Sequence, residues 1–313
     1  MPLLLLAALP VLVLVLTAGS GNGATTEWRA LTPAKLARTE VAAARIGRHI
    51  YVVGGFEQQS GRTTGALERY DIRRDRWRLR RPLPAPVNHP AAVAHRGKLY
   101  VHGGYRDSTG LSDTTGALWR YNPKRNRWKR LRSSPTKRAA HALAVVGRRM
   151  YAAGGANAGG SLKSLEVYDF KRRRWRSGPP FPGPPRNHTT GVAAGGLFYV
   201  LAGRDDGNYT AAERYDPRER RWERLPDMKV ARGGIASVRV GRRIVVFGGE
   251  IPGTIAEVEM FNPRTRRWTR LPDLRTPRHG LGGVARGSRI YAIEGGPQPG
   301  FAFSNAIEYL DVP

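Results

Sequence analysis

Hydrophobic and polar positions alternate in short runs along most of this chain. Ala42 to Ile46 alternates with a period of two, Gly47-Arg48-His49 reads as a turn, and Ile50 to Val53 is apolar throughout. That apolar run closes on a glycine pair, as IYVVGG at 50–55, and the pattern returns as LYVHGG at 99–104 and MYAAGG at 150–155. Looser copies follow as FYVLAG at 198–203, IVVFGG at 244–249 and IYAIEG at 290–295. A period of two predicts strands, and no segment after residue 24 carries the 3.6-residue period of a helix. Each unit therefore predicts two strands joined by a tight turn, a loop of variable length, and two further strands.

A second repeat sits inside the first. Six tryptophans, Trp28, Trp77, Trp128, Trp175, Trp222 and Trp268, are spaced 46 to 51 residues apart. Seven residues before each from the second onward stands an aromatic (Tyr70, Tyr121, Tyr168, Tyr215, Phe261), and each is followed by Asp or Asn. Four short strands in a unit of this length predict a propeller blade rather than a helical solenoid. The double glycine, the Tyr-Asp and the spaced Trp resemble the kelch repeat, and the resemblance covers the chain from Trp28 onward. It implies an all-β, six-bladed kelch β-propeller over residues 24–313, in which these glycines and aromatics are scaffold. Ala202 and Glu294 depart from the pattern at the first glycine, and Leu310 at the aromatic of the last unit. That last unit has no Trp strand, while Trp28 has no unit before it. The N-terminal strand is thus expected to complete the sixth blade and abolish an exposed sheet edge.

The first 23 residues differ in kind. Leu3 to Leu16 is almost unbroken apolar sequence, followed by small and polar residues, and reads as an export signal, cleaved or kept as a weak anchor. The run is shorter than the roughly 20 residues a spanning helix needs. A secreted or cell-envelope location is expected.

Composition then sharpens the chemistry. Among 313 residues, 53 Lys and Arg face 24 Asp and Glu, for a formal net charge of +29, and there is no cysteine. Disulfides, thiolate metal sites and cysteine nucleophiles are excluded. So is the copper radical chemistry that galactose-oxidase-like relatives of kelch proteins build on a cysteine. Because strands in a blade alternate in direction, the loops sort onto two faces. On one face lie the third-to-fourth turns, with Arg73, Arg74, Lys124, Arg125, Lys171, Arg172, Arg173, Arg218 and Arg264. The first-to-second turns add Arg148 and Arg242. This face suits an anionic polymer, a glycan or an anionic membrane surface, held through counterion release. It lacks the interleaved aromatics of a nucleic-acid platform, so no specific nucleic acid is expected. Repulsion between copies of so basic a chain predicts a monomer.

The opposite face carries longer and more varied loops, where recognition usually lives. Inter-blade links place Arg38, Arg138, Arg186, Arg232 and Arg278 at matching positions, with His89, His141, His188 and His279 nearby. The resemblance implies that such links and the loops after the glycine pairs form the mouth of a central channel, adding Arg204, Asp205 and Glu250. The same arginines also suit pairing with the third-strand acids Glu68, Glu166, Glu213, Glu259 and Glu308. The histidines fall on different blades without ligand-type spacing, which predicts no metal, and no cofactor is expected. The function that needs nothing further is non-enzymatic binding of a protein or an anionic polymer. The alternative resembles the exported kelch epimerase of sialic acid. It would use Glu250 or Asp205 as acid or base and Arg232 or Arg186 against the sugar carboxylate.

Overall fold

The computed structural model describes residues 27–313, so the expected export signal lies outside the described residues. Among the described residues every regular element is a β-strand. The strands pair into six four-stranded antiparallel sheets, with two small accessory sheets in the loops. The first blade shows the plan. Its strands are Ala42–Ile46, His49–Val53, Leu67–Asp71 and Arg76–Arg80, and each is hydrogen-bonded to the next. The innermost strands of all six blades line one central cavity.

The seven-residue offset has a simple cause. Tyr70 lies directly across the ladder from Trp77, and Asp71 across from Arg76, so four residues remain for the turn. The acid or amide is there to build that turn. Asp71, Asn122, Asp169, Asp216 and Asn262 each accept, on Oδ1, the backbone N–H two residues on. The aromatic pair packs at 4.9 Å between ring centres in the first blade, a cross-strand contact that stabilises the outer half of the blade.

Each tryptophan then ties its blade to the one before. Trp77 Nε1 donates to the Thr32 carbonyl at 2.8 Å, and Trp128, Trp175, Trp222 and Trp268 repeat the bond to Arg81, Arg132, Pro179 and Pro226. Trp28 does the same across the seam, reaching Pro272 at 2.9 Å. Arg29–Ala30 pairs antiparallel with Tyr309 and Glu308, so the N-terminal strand completes the sixth blade. Six apolar clusters occupy the interfaces between neighbouring blades. At the seam, Ile50, Val52 and Trp77 pack with Tyr291, Ile293 and Ile307.

The glycine pairs separate into two roles. The second glycine takes φ between 91° and 123° in all six copies, and a Cβ on Gly55 would stand 2.3 Å from the Thr39 carbonyl oxygen. No side chain fits there. The first position takes an ordinary left-handed φ, which Ala202 and Glu294 adopt at 50° and 55°. The two departures from the repeat therefore fall at the position whose φ a residue with a side chain can adopt.

Candidate functional site

The inter-blade link is the element that builds the channel mouth. It begins at Arg38, Arg138, Arg186, Arg232 and Arg278, and all five side chains are 0% exposed. Each is paired with the acid of its own third strand: Arg38–Glu68 at 3.2 Å, Arg138–Glu166 at 3.2 Å, Arg232–Glu259 at 2.9 Å and Arg278–Glu308 at 3.2 Å. Arg186 pairs with Glu213. Four of the five also donate to the carbonyl of the first residue in the glycine pair, as Arg138 does to Gly154 at 2.7 Å. These arginines are corrected from mouth residues to scaffold, because a guanidinium with no exposed surface cannot meet a ligand. The second blade proves the rule by changing both partners together: Val87 replaces the arginine and Trp119 the glutamate, and the two pack in one apolar cluster.

Two residues further on, the chain turns into the channel. The six equivalent positions are Glu40, His89, Ala140, His188, Gly234 and Gly280, and every one has positive φ, between 48° and 73°. Backbone N–H groups link them around the ring. His89 donates to Glu40, Ala140 to His89, Gly234 to His188 and Gly280 to Gly234, all near 3.0 Å. Glycine is the natural residue for this conformation, and non-glycine residues adopt it at a cost of about 1 kcal/mol. Glu40, His89 and His188 stand there in spite of that cost. Ala140 takes the same angle, so the backbone alone does not set these three apart; what does is where their side chains go.

Those side chains meet. His89 Nε2 lies 3.1 Å from Glu40 Oε2 and 3.1 Å from His188 Nε2, although the two histidines are 99 residues apart in sequence. His279 Nδ1 lies 3.1 Å from the other oxygen of Glu40, and its Nε2 is 3.5 Å from Glu250 Oε2. Arg204 closes the cluster by pairing with Glu250 at 2.7 Å. The side chains of Glu40, His89 and His279 are only 11%, 4% and 2% exposed. Burial raises the Glu40 carboxyl, but His89, His279 and His188 outweigh it and hold the group well below the usual carboxylate range. Burial lowers the imidazoles of His89 and His188. It acts on His279 in the same sense, but Glu40 and Glu250 prevail and raise that group.

Below the cluster the channel is narrow, a cavity of about 160 Å³ lined largely by Ala, Gly, Ser and Thr. Of the expected mouth residues, His188, His279, Arg204 and Glu250 come together. Asp205 stays exposed on the rim, where Ser161 Oγ donates to it at 2.7 Å. His141 is buried in the channel wall, where its Nε2 sits 2.9 Å from Nδ1 of buried His102, which also reaches Ser134. Glu40 is a mouth residue that sequence reasoning passed over, and His89 was noted only as a neighbour. The available signal was their register, two residues past the link arginine, at a position that holds glycine in the last two repeats. The spacing argument against metal ligands also fails here, since Glu40, His89 and His188 present donor atoms within 4.8 Å of one another, as do Glu40, Glu250 and His279.

The turns of the opposite face carry basic side chains that reach solvent. Arg73, Arg74, Lys124, Arg125, Arg148, Lys171, Arg172, Arg173, Arg218, Arg242 and Arg264 are all exposed.

A closed ring of six antiparallel four-stranded blades, with the N-terminal strand in the last, defines a β-propeller. Comparison with known proteins carries this one step further, and the chain belongs to the kelch-repeat family. The family model for the KLHDC2/KLHL20/DRC7 Kelch-repeats domain matches residues 40–249, and the Kelch motif matches residues 231–275. Kelch repeat and BTB domain-containing protein 1 of Ectromelia virus (strain Moscow) is 28% identical over 142 residues, covering 45% of this chain and 24% of that protein. Kelch-like protein 41a of Danio rerio is also 28% identical over 142 residues, covering 45% of this chain and 23% of its own length. The matched region thus spans about a quarter of these curated relatives. Among solved structures, that of YjhT superposes with a TM-score of 0.76 over 88% of this chain and 95% of that chain, at 17% identity, a likeness of fold.

Proposed function

We propose that this propeller is a non-enzymatic interaction module whose mouth face receives a protein partner outside the cytoplasm. One observation carries the reading. Among the described residues, three of the four exposed large hydrophobic side chains are Leu111, Ile251 and Phe301, 51%, 50% and 52% exposed, and all three stand on loops of the mouth face. Exposed large apolar side chains gathered on the loops of one face are the kind of anchor that protein-binding surfaces use. In this reading the apolar run Leu3 to Leu16 directs export. The sugar-epimerase alternative loses support, because Arg186 and Arg232, its candidates for holding a substrate carboxylate, have no exposed surface.

A second reading has its own observation: the eleven exposed basic side chains named above form the opposite face. Three of the turns there place arginine in the left-handed position (Arg173, Arg220 and Arg266), where Asp75 and Asn126 stand in the other two. Arginine has no conformational reason to be there, which favours a role for its charge in holding an anionic polymer.

The test passes envelope extract over immobilised protein at low and high salt. The expected result is one partner retained at both salt levels and lost from the Leu111→Asp/Phe301→Asp variant. Retention unchanged in that variant would overturn the mouth-face reading. Broad retention that vanishes in salt, and with Arg172→Glu/Arg173→Glu, would assign binding to the basic face instead.

A further inference from the structure

The hydrogen-bond relays behind His89 and His188 fix which ring nitrogen carries the proton. Thr63 Oγ1 donates to the Asp107 carbonyl at 2.5 Å, so it accepts from Asn88 Nδ2 at 2.7 Å. The Asn88 Oδ1 must then face His89 Nδ1, 2.7 Å away, as an acceptor. The second relay is the same in kind. Ser161 Oγ donates to the Asp205 carboxylate and accepts from Asn187 Nδ2 at 2.6 Å, which turns Asn187 Oδ1 toward His188 Nδ1. A carbonyl and a carboxylate only accept, so neither relay can be reversed. Both histidines therefore hold their proton on Nδ1 and present a bare Nε2.

Those two bare nitrogens point at each other across 3.1 Å, and the third atom in reach, Glu40 Oε2, is an acceptor too, 3.1 Å from His89 Nε2. Three acceptors converge with no donor among them. A single extra proton can lie along one of the two contacts and leaves the other pair opposed. A divalent cation satisfies all three. Donors about 2.0–2.1 Å from a tetrahedral ion stand about 3.3 Å from one another; the two contacts of His89 Nε2 are each 3.1 Å, and the third pair lies within 4.8 Å. Outer groups are in place as well: Asn88 and Asn187 orient the imidazoles, and His279 holds the second oxygen of Glu40 at 3.1 Å. The neighbouring positive charge of Arg204 is matched by Glu250 at 2.7 Å.

We propose that Glu40 Oε2, His89 Nε2 and His188 Nε2 form a zinc-type divalent metal site at the channel mouth, with water from the channel as the fourth ligand. Two imidazoles and one carboxylate on a closed ring favour zinc or cobalt over calcium or magnesium, which prefer oxygen alone. The site is independent of the partner proposed above, since it rests on inward-facing atoms and not on the rim loops.

The test is direct metal titration of chelator-treated protein with Co²⁺, followed by X-ray absorption on the zinc-loaded wild type. The expected result is one equivalent bound with the visible bands of four-coordinate cobalt, and a zinc shell containing two imidazoles. His188→Asn and Glu40→Gln should abolish those bands while near-ultraviolet dichroism stays native. Asn187→Ala should weaken uptake by about 10- to 100-fold. No stoichiometric uptake by the wild type, a zinc shell without imidazole, or uptake unchanged in His188→Asn would overturn the site. Should a variant fail to fold, the wild-type absorption spectrum decides alone.

Discussion

Each inter-blade link carries two residues of opposite character only two positions apart. The first is arginine in five links of six, wholly buried and paired with its own blade. The second differs from blade to blade and faces the channel: Glu40, His89, Ala140, His188, Gly234 and Gly280. Where the repeat is kept, the side chain serves the ring, because every blade poses the same packing problem. Where the repeat varies at the second position, three of the six side chains, Glu40, His89 and His188, converge on one another across the channel. In a repeat protein, then, the sites are read in the departures.

The sharpest way to break this contrast is to treat a repeated residue as dispensable. Arg138→Ala leaves Glu166 buried without its cation and should lower unfolding free energy by about 3–5 kcal/mol in urea denaturation. Installing the solution of the second blade, Arg138→Val with Glu166→Trp, should recover much of that loss. A single-variant cost below about 1 kcal/mol would remove the claim that the arginines are scaffold.

A second prediction concerns His102, the buried partner of His141. Burial, aided by Arg138, lowers His102 from 6.5 to about 3. The unfolded chain takes up a proton below its ordinary value that the folded chain refuses. Stability is therefore level above pH 6.5 and falls as pH drops toward 3, by about 2 kcal/mol between pH 6.5 and 5 for this one group. Unfolding free energies from urea denaturation at pH 7 and pH 5 should differ by about 2 kcal/mol less in His102→Phe than in the wild type. An equal pH dependence in the two proteins would contradict a buried neutral imidazole.

The smallest effect sharpens the comparison from the other side. His188→Gly relieves a left-handed φ of 48° and should leave stability within about 1 kcal/mol of the wild type, on the gaining side. A loss beyond about 2 kcal/mol in thermal or urea unfolding would make His188 a scaffold residue after all.

Much of this molecule was legible in its sequence, for identifiable reasons. The Tyr-to-Trp offset is set by a four-residue turn, so it survives as a fixed spacing that needs no structure to see. The missing Trp strand of the last unit and the unclaimed Trp28 together implied the seam. The pairing of link arginines with third-strand acids was one of two readings, and only burial chose between them. The mouth was harder. Which way a residue points there depends on a positive φ, and no composition or period encodes that angle for Glu40 or His188. Adjacent residues differ as a result: Ala140 and His141 both line the channel, but His141 turns its Nε2 to buried His102. Nor can spacing along the chain bring His89 to His188, because their meeting is a property of the closed circle and not of either blade.

The seam has a consequence in time as well as in space. Trp28, Arg29 and Ala30 find their partners at Pro272, Tyr309 and Glu308, so the earliest part of the ring to be synthesised waits for the latest. A ribosome releases the beginning of this propeller long before it can be finished. Until residues 307–311 have been made, Arg29 and Ala30 have no strand to join, and the circle cannot shut.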